Sequence, residues 1–217
     1  MVINLGETNS VFNQFIGELR HVDIQNDRLR FRRNLERVGE IFAYEISKTL
    51  EYEKQEVTTP LGVAEVPLLK EQPVLATILR AGLPLHQGML NYFDRADNAF
   101  VSAFRKYYKN EEFKISLEYL SSPELNDKVL ILTDPMLATG ASIVKVMKGL
   151  LASGMPRHVH IVAVLASGEG LEYVKRHLSL LNMTIWIGGL DDELTAQAYI
   201  VPGLGDAGDL AYGTKSD

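Results

Sequence analysis

The 217-residue chain has no cysteine, which excludes disulfides, thiolate zinc sites and cysteine nucleophiles. Its longest apolar runs are strand-sized and fall well short of a membrane span. No basic region followed by an apolar run opens the chain, so no secretory signal is visible and a cytoplasmic location is the expectation. Basic charge is scarce as well: 22 Lys and Arg stand against 28 Asp and Glu, a net charge of −6. Nucleic-acid surfaces need clustered cations, so neither a nucleic acid nor a membrane is expected as a partner. A small phosphorylated ligand stays open, because it needs only a few local cations and backbone N–H groups.

What is present suits a core: 46% of residues are hydrophobic and 23% charged. No internal repeat, low-complexity tract or linker divides the chain, so residues 1–217 are read as one domain. Apolar residues at helical spacing predict a long amphipathic helix from Asp27 to Leu50, with Arg28, Arg30, Arg32 and Arg33 on a solvated or subunit-facing surface. A β-hairpin is expected over 54–67, around Pro60-Leu61-Gly62. Strands are predicted at Pro73–Leu79, Ala99–Phe104, Lys128–Thr133, Val159–Ala166 and Met183–Ile187. Helices are predicted at Leu83–Phe93, Ala141–Ala152 and Gly170–Leu178. Residues 105–120 are polar, aromatic and aperiodic, and read as a mobile excursion. Strands alternating with helices imply an α/β fold, a parallel β-sheet flanked by helices on both faces.

Ligands of such sheets sit beyond the carboxyl ends of the strands. Arg80, Arg105, Asp134 and the turn Ser167-Gly168-Glu169-Gly170 each directly follow a predicted strand, and should converge on one rim. The most informative stretch runs Val129-Leu130-Ile131-Leu132-Thr133-Asp134-Pro135-Met136-Leu137-Ala138-Thr139-Gly140-Ala141-Ser142. It reads as a buried strand that stops at an acid and turns through small and hydroxyl residues into a helix. The first N–H groups of a helix have no internal partner and carry the positive end of its dipole, so this turn suits a phosphate. Thr139 and Ser142 can donate hydroxyl hydrogen bonds. Asp134 would repel the phosphate and must face a sugar hydroxyl or a metal. The plainer reading is an ordinary βα turn capped by Thr139 or Ser142. The turn is no P-loop, because the Gly-Lys-Ser/Thr ending is absent.

Gly203, Gly205 and Gly208 match the dinucleotide pattern G-x-G-x-x-G, but only nine residues follow Gly208. That leaves no room for the helix and second strand such a fingerprint requires. His158 and His160 share a strand face at metal-ligand spacing, yet no nearby carboxylate completes a site, so packing is expected of them.

The run Thr133 to Ser142 resembles the phosphoribosyl-pyrophosphate (PRPP) motif of the uracil phosphoribosyltransferases, a branch of the type I phosphoribosyltransferases. Ile78-Leu79-Arg80-Ala81-Gly82-Leu83 is similar to that family's pyrophosphate-side loop. Tyr199-Ile200-Val201-Pro202-Gly203-Leu204-Gly205-Asp206-Ala207-Gly208-Asp209 is similar to its C-terminal uracil-binding segment. The resemblance implies transfer of 5-phosphoribosyl from PRPP to uracil, giving UMP and pyrophosphate. It also implies a small hood of N- and C-terminal segments with a β-hairpin arm, and a homodimer or larger homo-oligomer.

For the site, the resemblance implies catalytic roles for Arg80, Arg105, Asp134 and Asp206. PRPP would be held by these four with Pro135, Met136, Leu137, Ala138, Thr139, Gly140, Ala141 and Ser142. Uracil would meet Ile200, Gly205, Asp206 and Ala207, largely through their backbone. Pro135 stands where many phosphoribosyltransferases carry a second acid, so no protein-chelated metal is expected and Mg²⁺ should arrive bound to PRPP.

The chain departs from the family pattern in three places. Ala141 stands where a second glycine is usual, residues 106–120 lack an expected proline-containing stretch, and Leu210 follows Asp209 where a basic residue is common. The changed loop and Ala141 motivate an alternative, a catalytically weak relative that binds PRPP or nucleotide and regulates a partner. Another base, such as a purine, is a third possibility that the C-terminal segment disfavours.

Overall fold

The computed structural model describes the backbone of residues 1–107 and 113–215 and the side chains of 1–103 and 117–215. The N-terminal part contains β1 (Val2–Asn4), α1 (Val11–Arg20), α2 (Arg28–Ser47), β2 (Tyr52–Thr59) and β3 (Gly62–Leu69). The middle runs through β4 (Val74–Leu79), α3 (Leu83–Leu90), β5 (Asn98–Tyr107), β6 (Phe113–Ser121), β7 (Val129–Thr133), β8 (Met136–Leu137) and α4 (Ala141–Leu150). The remainder is β9 (His158–Ala163), β10 (Leu165–Ser167), α5 (Gly168–His177), β11 (Met183–Ile187), β12 (Leu190–Asp191), β13 (Glu193–Leu194), β14 (Ile200–Val201) and α6 (Ala207–Tyr212).

Seven strands form the main sheet in the order β1-β11-β9-β7-β4-β5-β6. Every neighbouring pair is parallel except β5 with β6. Successive side chains of a strand point to opposite faces, and here both faces are apolar. On one face Leu75, Ile131, Val162 and Trp186 pack with Phe12 and Leu19 of α1, Phe31, Leu35 and Phe42 of α2, and Leu85 and Met89 of α3. On the other, Leu130, Leu132, Ile161 and Ile185 pack with Val146 and Met147 of α4 and with Leu171 and Val174 of α5. The strands therefore read as nearly continuous apolar runs, which is why their positions were visible in the sequence.

The predicted helix from Asp27 to Leu50 is α2, and Asp27 caps it by accepting from the Arg30 N–H at 3.0 Å. The hairpin predicted over 54–67 is β2–β3, an antiparallel pair from Tyr52↔Leu69 to Thr59↔Gly62. All of β2 is exposed, and Leu61 at the tip is fully so. The predicted hood forms where α6 settles on α2, with the Arg32 Nη1 donating to the Ala211 carbonyl at 2.6 Å.

Two expectations are corrected. The predicted excursion over 105–120 is largely regular: β5 continues to Tyr107 and pairs antiparallel with β6 from Phe100↔Ser121 outward. Phe113, Ile115, Leu117 and Tyr119 alternate with Lys114, Ser116 and Glu118, the period of a strand, and β6 is the outermost strand of the sheet. Residues 108–112 lie outside the described ones. The single strand predicted over Val159–Ala166 is two. The Pro135 carbonyl accepts from both Val164 and Leu165 N–H groups, at 2.9 and 3.0 Å, and this diverts the chain into a second sheet, β12-β10-β8.

Candidate active site

Adjacent strands place the predicted site residues at one end of the sheet. β4 ends at Leu79 and β7 at Thr133, and the two pair from Val74↔Leu130 to Thr77↔Thr133. Arg80 and Asp134 therefore leave neighbouring strands at the same end of the sheet, Arg80 two residues farther out than the position level with Asp134. The Thr133 hydroxyl donates to the Ala76 carbonyl at 3.2 Å, and the Thr77 hydroxyl donates back to the Thr133 carbonyl at 3.4 Å. These buried crosslinks fix the platform from which both loops depart.

Asp134 is half-buried, with its Oδ1 facing the Met136 N–H at 3.5 Å. Beyond it a small pocket of about 30 Å³ is lined by Asp134, Met136, Leu137, Ala138, Thr139, Gly140, Ser142 and Ile143. Pro135 and Ala141 shape this loop without lining it: Pro135 bonds to the β9–β10 junction, and the Ala141 N–H reaches the Thr139 hydroxyl at 3.4 Å. No side chain caps α4. Apart from the long Ala141 contact to Thr139, its first amides have no side-chain cap, as at α3 and unlike α1, α2, α5 and α6. Helix-start amides of this kind suit an anion.

Gly140 makes this turn possible. Its φ is +75°, and a methyl group there would stand 2.7 Å from the Gly170 carbonyl oxygen. Ala141 is already the first residue of α4 and needs no positive φ. The departure from the family's second glycine is sterically harmless. Ser167, 29 residues beyond Ala138, braces the loop: its hydroxyl donates to the Ala138 carbonyl at 2.6 Å and accepts from the Gly170 N–H at 2.9 Å.

Arg80 follows a cis Leu79–Arg80 peptide and is 38% exposed. Its Nη2 donates to the Asp209 carboxylate at 3.1 Å and its Nη1 to the Gly213 carbonyl at 3.3 Å. The expected pyrophosphate arginine thus lies against the C-terminal segment expected to bind the base. Arg105 sits within β5, not after it. Ser102 pairs with Leu79, so Arg105 lies three positions farther out, opposite Ile115, and its side chain is outside the described ones.

The C-terminal segment is ordered by packing. Ile200, Leu204, Ala207 and Ala211 are buried in the same core as Ala138 and Leu165. Ile200 pairs with Leu194 in the short β13–β14 ribbon. Gly205 has φ +93°, and Asp206 caps α6 by accepting from the Asp209 N–H at 2.9 Å. α6 turns the end of this segment toward Arg80, which bonds Asp209 and Gly213.

Sequence reasoning missed Arg20 and Asp191. They form a bidentate pair, Nη1–Oδ2 2.7 Å and Nη2–Oδ1 2.9 Å, and both touch Gly203. Burial pushes the Asp191 carboxyl up, but the Arg20 hydrogen bonds and the Gly203 N–H outweigh it, and its pKa lies below the ordinary value. No local pattern marks an ion pair across 171 residues. His158 and His160 pack as expected: His160 Nδ1 accepts from the Trp186 indole N–H at 3.0 Å, and His158 Nε2 meets the Thr184 hydroxyl at 3.1 Å.

The family model described as uracil phosphoribosyltransferase matches residues 8–214. A uracil phosphoribosyltransferase of Porphyromonas gingivalis is 56% identical over 214 residues, covering 99% of each chain. The AQ2163 protein of Aquifex aeolicus has a solved structure that superposes with a TM-score of 0.86 at 29% identity, covering 98% of each chain. An adenine phosphoribosyltransferase of Trypanosoma brucei shares the fold at a TM-score of 0.54 and 13% identity, over 88% of this chain and 86% of that one. By its matching family model and its relatives, the chain belongs to the uracil phosphoribosyltransferase family.

Proposed function

We propose that the protein transfers 5-phosphoribosyl from PRPP to uracil, releasing UMP and pyrophosphate. The observation that carries this reading is the meeting, at one end of a parallel sheet, of Arg80, the Asp134–Ser142 turn and the Ile200–Ala207 segment. In this reaction the C–O bond to the leaving group breaks, a C–N bond forms, and the pyrimidine nitrogen gives up its proton. The transition state resembles an oxocarbenium ion, so positioning and preorganised charge carry most of the catalysis.

In this reading the α4 amides with Thr139 and Ser142 hold the 5′-phosphate, and Asp134 takes the ribose hydroxyls. Arg80 and Arg105 grip the departing pyrophosphate, since a guanidinium can bind phosphate oxygens bidentately. The backbone of Ile200 and of Gly205–Ala207 reads the uracil edge, and Asp206 also faces PRPP. Among the described residues no group of three or more His, Asp or Glu could hold a metal ion. In this reading Mg²⁺ would arrive with PRPP and offset leaving-group charge. Among the described residues no helix is long and apolar enough to cross a membrane. A cytoplasmic location belongs to the same reading. The exposed β2–β3 arm, with Val57, Leu61 and Val63 facing outward, supports assembly into a homo-oligomer.

Radiolabelled uracil with PRPP and Mg²⁺ tests the proposal: UMP formation is expected, and its absence with folded protein would refute it. Competition among free bases separates uracil from purines. The regulatory alternative predicts PRPP or UMP binding by calorimetry without turnover. Half of its motivation came from Ala141, which sits where alanine costs nothing.

A further inference from the structure

We propose that Arg20 and Asp191 are positioning residues that lock the base-recognition segment in its binding shape through the backbone of Gly203, an inference that rests on the function proposed above. Gly203 lies between Ile200 and Gly205, the residues expected to flank uracil. The pair holds both of its backbone groups. Arg20 Nη1 donates to the Gly203 carbonyl at 3.1 Å, and Asp191 Oδ2 accepts from the Gly203 N–H at 2.9 Å.

A second observation makes this peptide the natural place for a lock. Gly203 has φ +57°, and a methyl group there would stand 2.1 Å from the Ile200 carbonyl oxygen. The chain therefore doubles back on Ile200 within three residues, in a conformation that other residues rarely adopt. A segment that reads a flat base through its backbone must hold its N–H and C=O groups in fixed directions. The charged pair supplies that stiffness. Both carboxylate oxygens and both terminal guanidinium nitrogens are engaged, and the side chains are only 7% and 26% exposed, so water competes weakly. The two residues come from the end of α1 and from β12, elements with no predicted contact to either substrate.

The test uses the full chain with Arg20→Lys, which keeps the charge but loses the planar fork, and Asp191→Asn, which keeps the shape but loses the charge. KM for uracil should rise on the order of tenfold or more in each, because small misplacement of a binding group is costly. KM for PRPP and kcat should stay within about twofold. Unchanged uracil KM in a folded variant, or equal rises in both KM values, would overturn the proposal, since a merely structural role moves both substrates together. Hydrogen exchange on the wild type covers the case in which a variant fails to fold. The Gly203 amide should be protected, and exchange as fast as that of an exposed amide would overturn the lock. Wild-type turnover separates the two readings: without UMP formation both fall, whereas turnover with an unmoved uracil KM sinks the lock alone.

Discussion

The guanidinium of Arg80 donates at 3.1 Å to the carboxylate of Asp209, a residue 129 positions further along the chain. One arginine thus touches the loop expected to hold pyrophosphate and the segment expected to hold uracil. If Arg80 grips the leaving group, its interaction strengthens as charge builds on pyrophosphate, and its loss should appear in kcat more than in binding. Arg80→Ala is expected to lower kcat on the order of a hundred- to a thousandfold. Steady-state kinetics with both substrates checks this, and an unchanged kcat would remove Arg80 from the chemistry.

The turn into α4 makes a stability prediction that needs no substrate. Gly140→Ala forces an L-residue to φ +75° and puts its methyl 2.7 Å from the Gly170 carbonyl and 2.9 Å from the Val174 side chain. Strain and clash together should cost about 2 kcal/mol or more. For a chain of this size that lowers Tm by about 4–8 °C. Ala141→Gly, one residue on, only swaps residues in a helical turn. It should cost about 1 kcal/mol at most and leave activity within twofold. Paired thermal melts decide, and equal losses in the two variants would mean the turn is misread.

Much of this site was legible because buried parallel strands are apolar throughout and their ends are marked. Leu79-Arg80 and Thr133-Asp134 each break an apolar run with a charge, and the structure places both at the same end of the sheet. The alternation of Phe113, Ile115, Leu117 and Tyr119 in β6 was legible too, but the polar run before it obscured it. What stayed hidden lacks a local signature. β9 and β10 merge in sequence, because only a distant Pro135 carbonyl separates them. Arg20, Asp191 and Gly203 meet only after the chain folds. Arg105 was placed just past a strand that in fact runs on to Tyr107.

Acid stability should report on a histidine outside the site. His86 of α3 is 2% exposed and packs edge-on to Phe100 at 5.3 Å. Burial pushes its pKa down to about 4, and the Asn98 side chain offsets only part of that. Between about pH 6.5 and 4 the unfolded chain binds a proton there that the folded chain does not. Stability contributed by the neutral ring is complete above pH 6.5 and is lost as pH falls toward 4. His86→Leu should flatten that limb by on the order of 2–3 kcal/mol. Denaturant unfolding at pH 7 and pH 4.5 checks it; an equally steep limb in the variant would assign the protons elsewhere.

The Arg80–Asp209 pair also predicts a gain from a loss. Asp209 is 32% exposed, so its attraction for Arg80 is screened and worth about 1 kcal/mol at most. That same carboxylate competes with pyrophosphate for the guanidinium and repels the incoming charge. Asp209→Asn keeps the side-chain shape but removes both effects. KM for PRPP should therefore fall, by up to about fivefold, the ratio that 1 kcal/mol allows. The gap between wild type and variant should shrink as salt is added, because a half-exposed charge is screened. A tenfold rise in KM for PRPP would show instead that Asp209 binds substrate itself, and that Arg80 is held by it rather than shared with the leaving group.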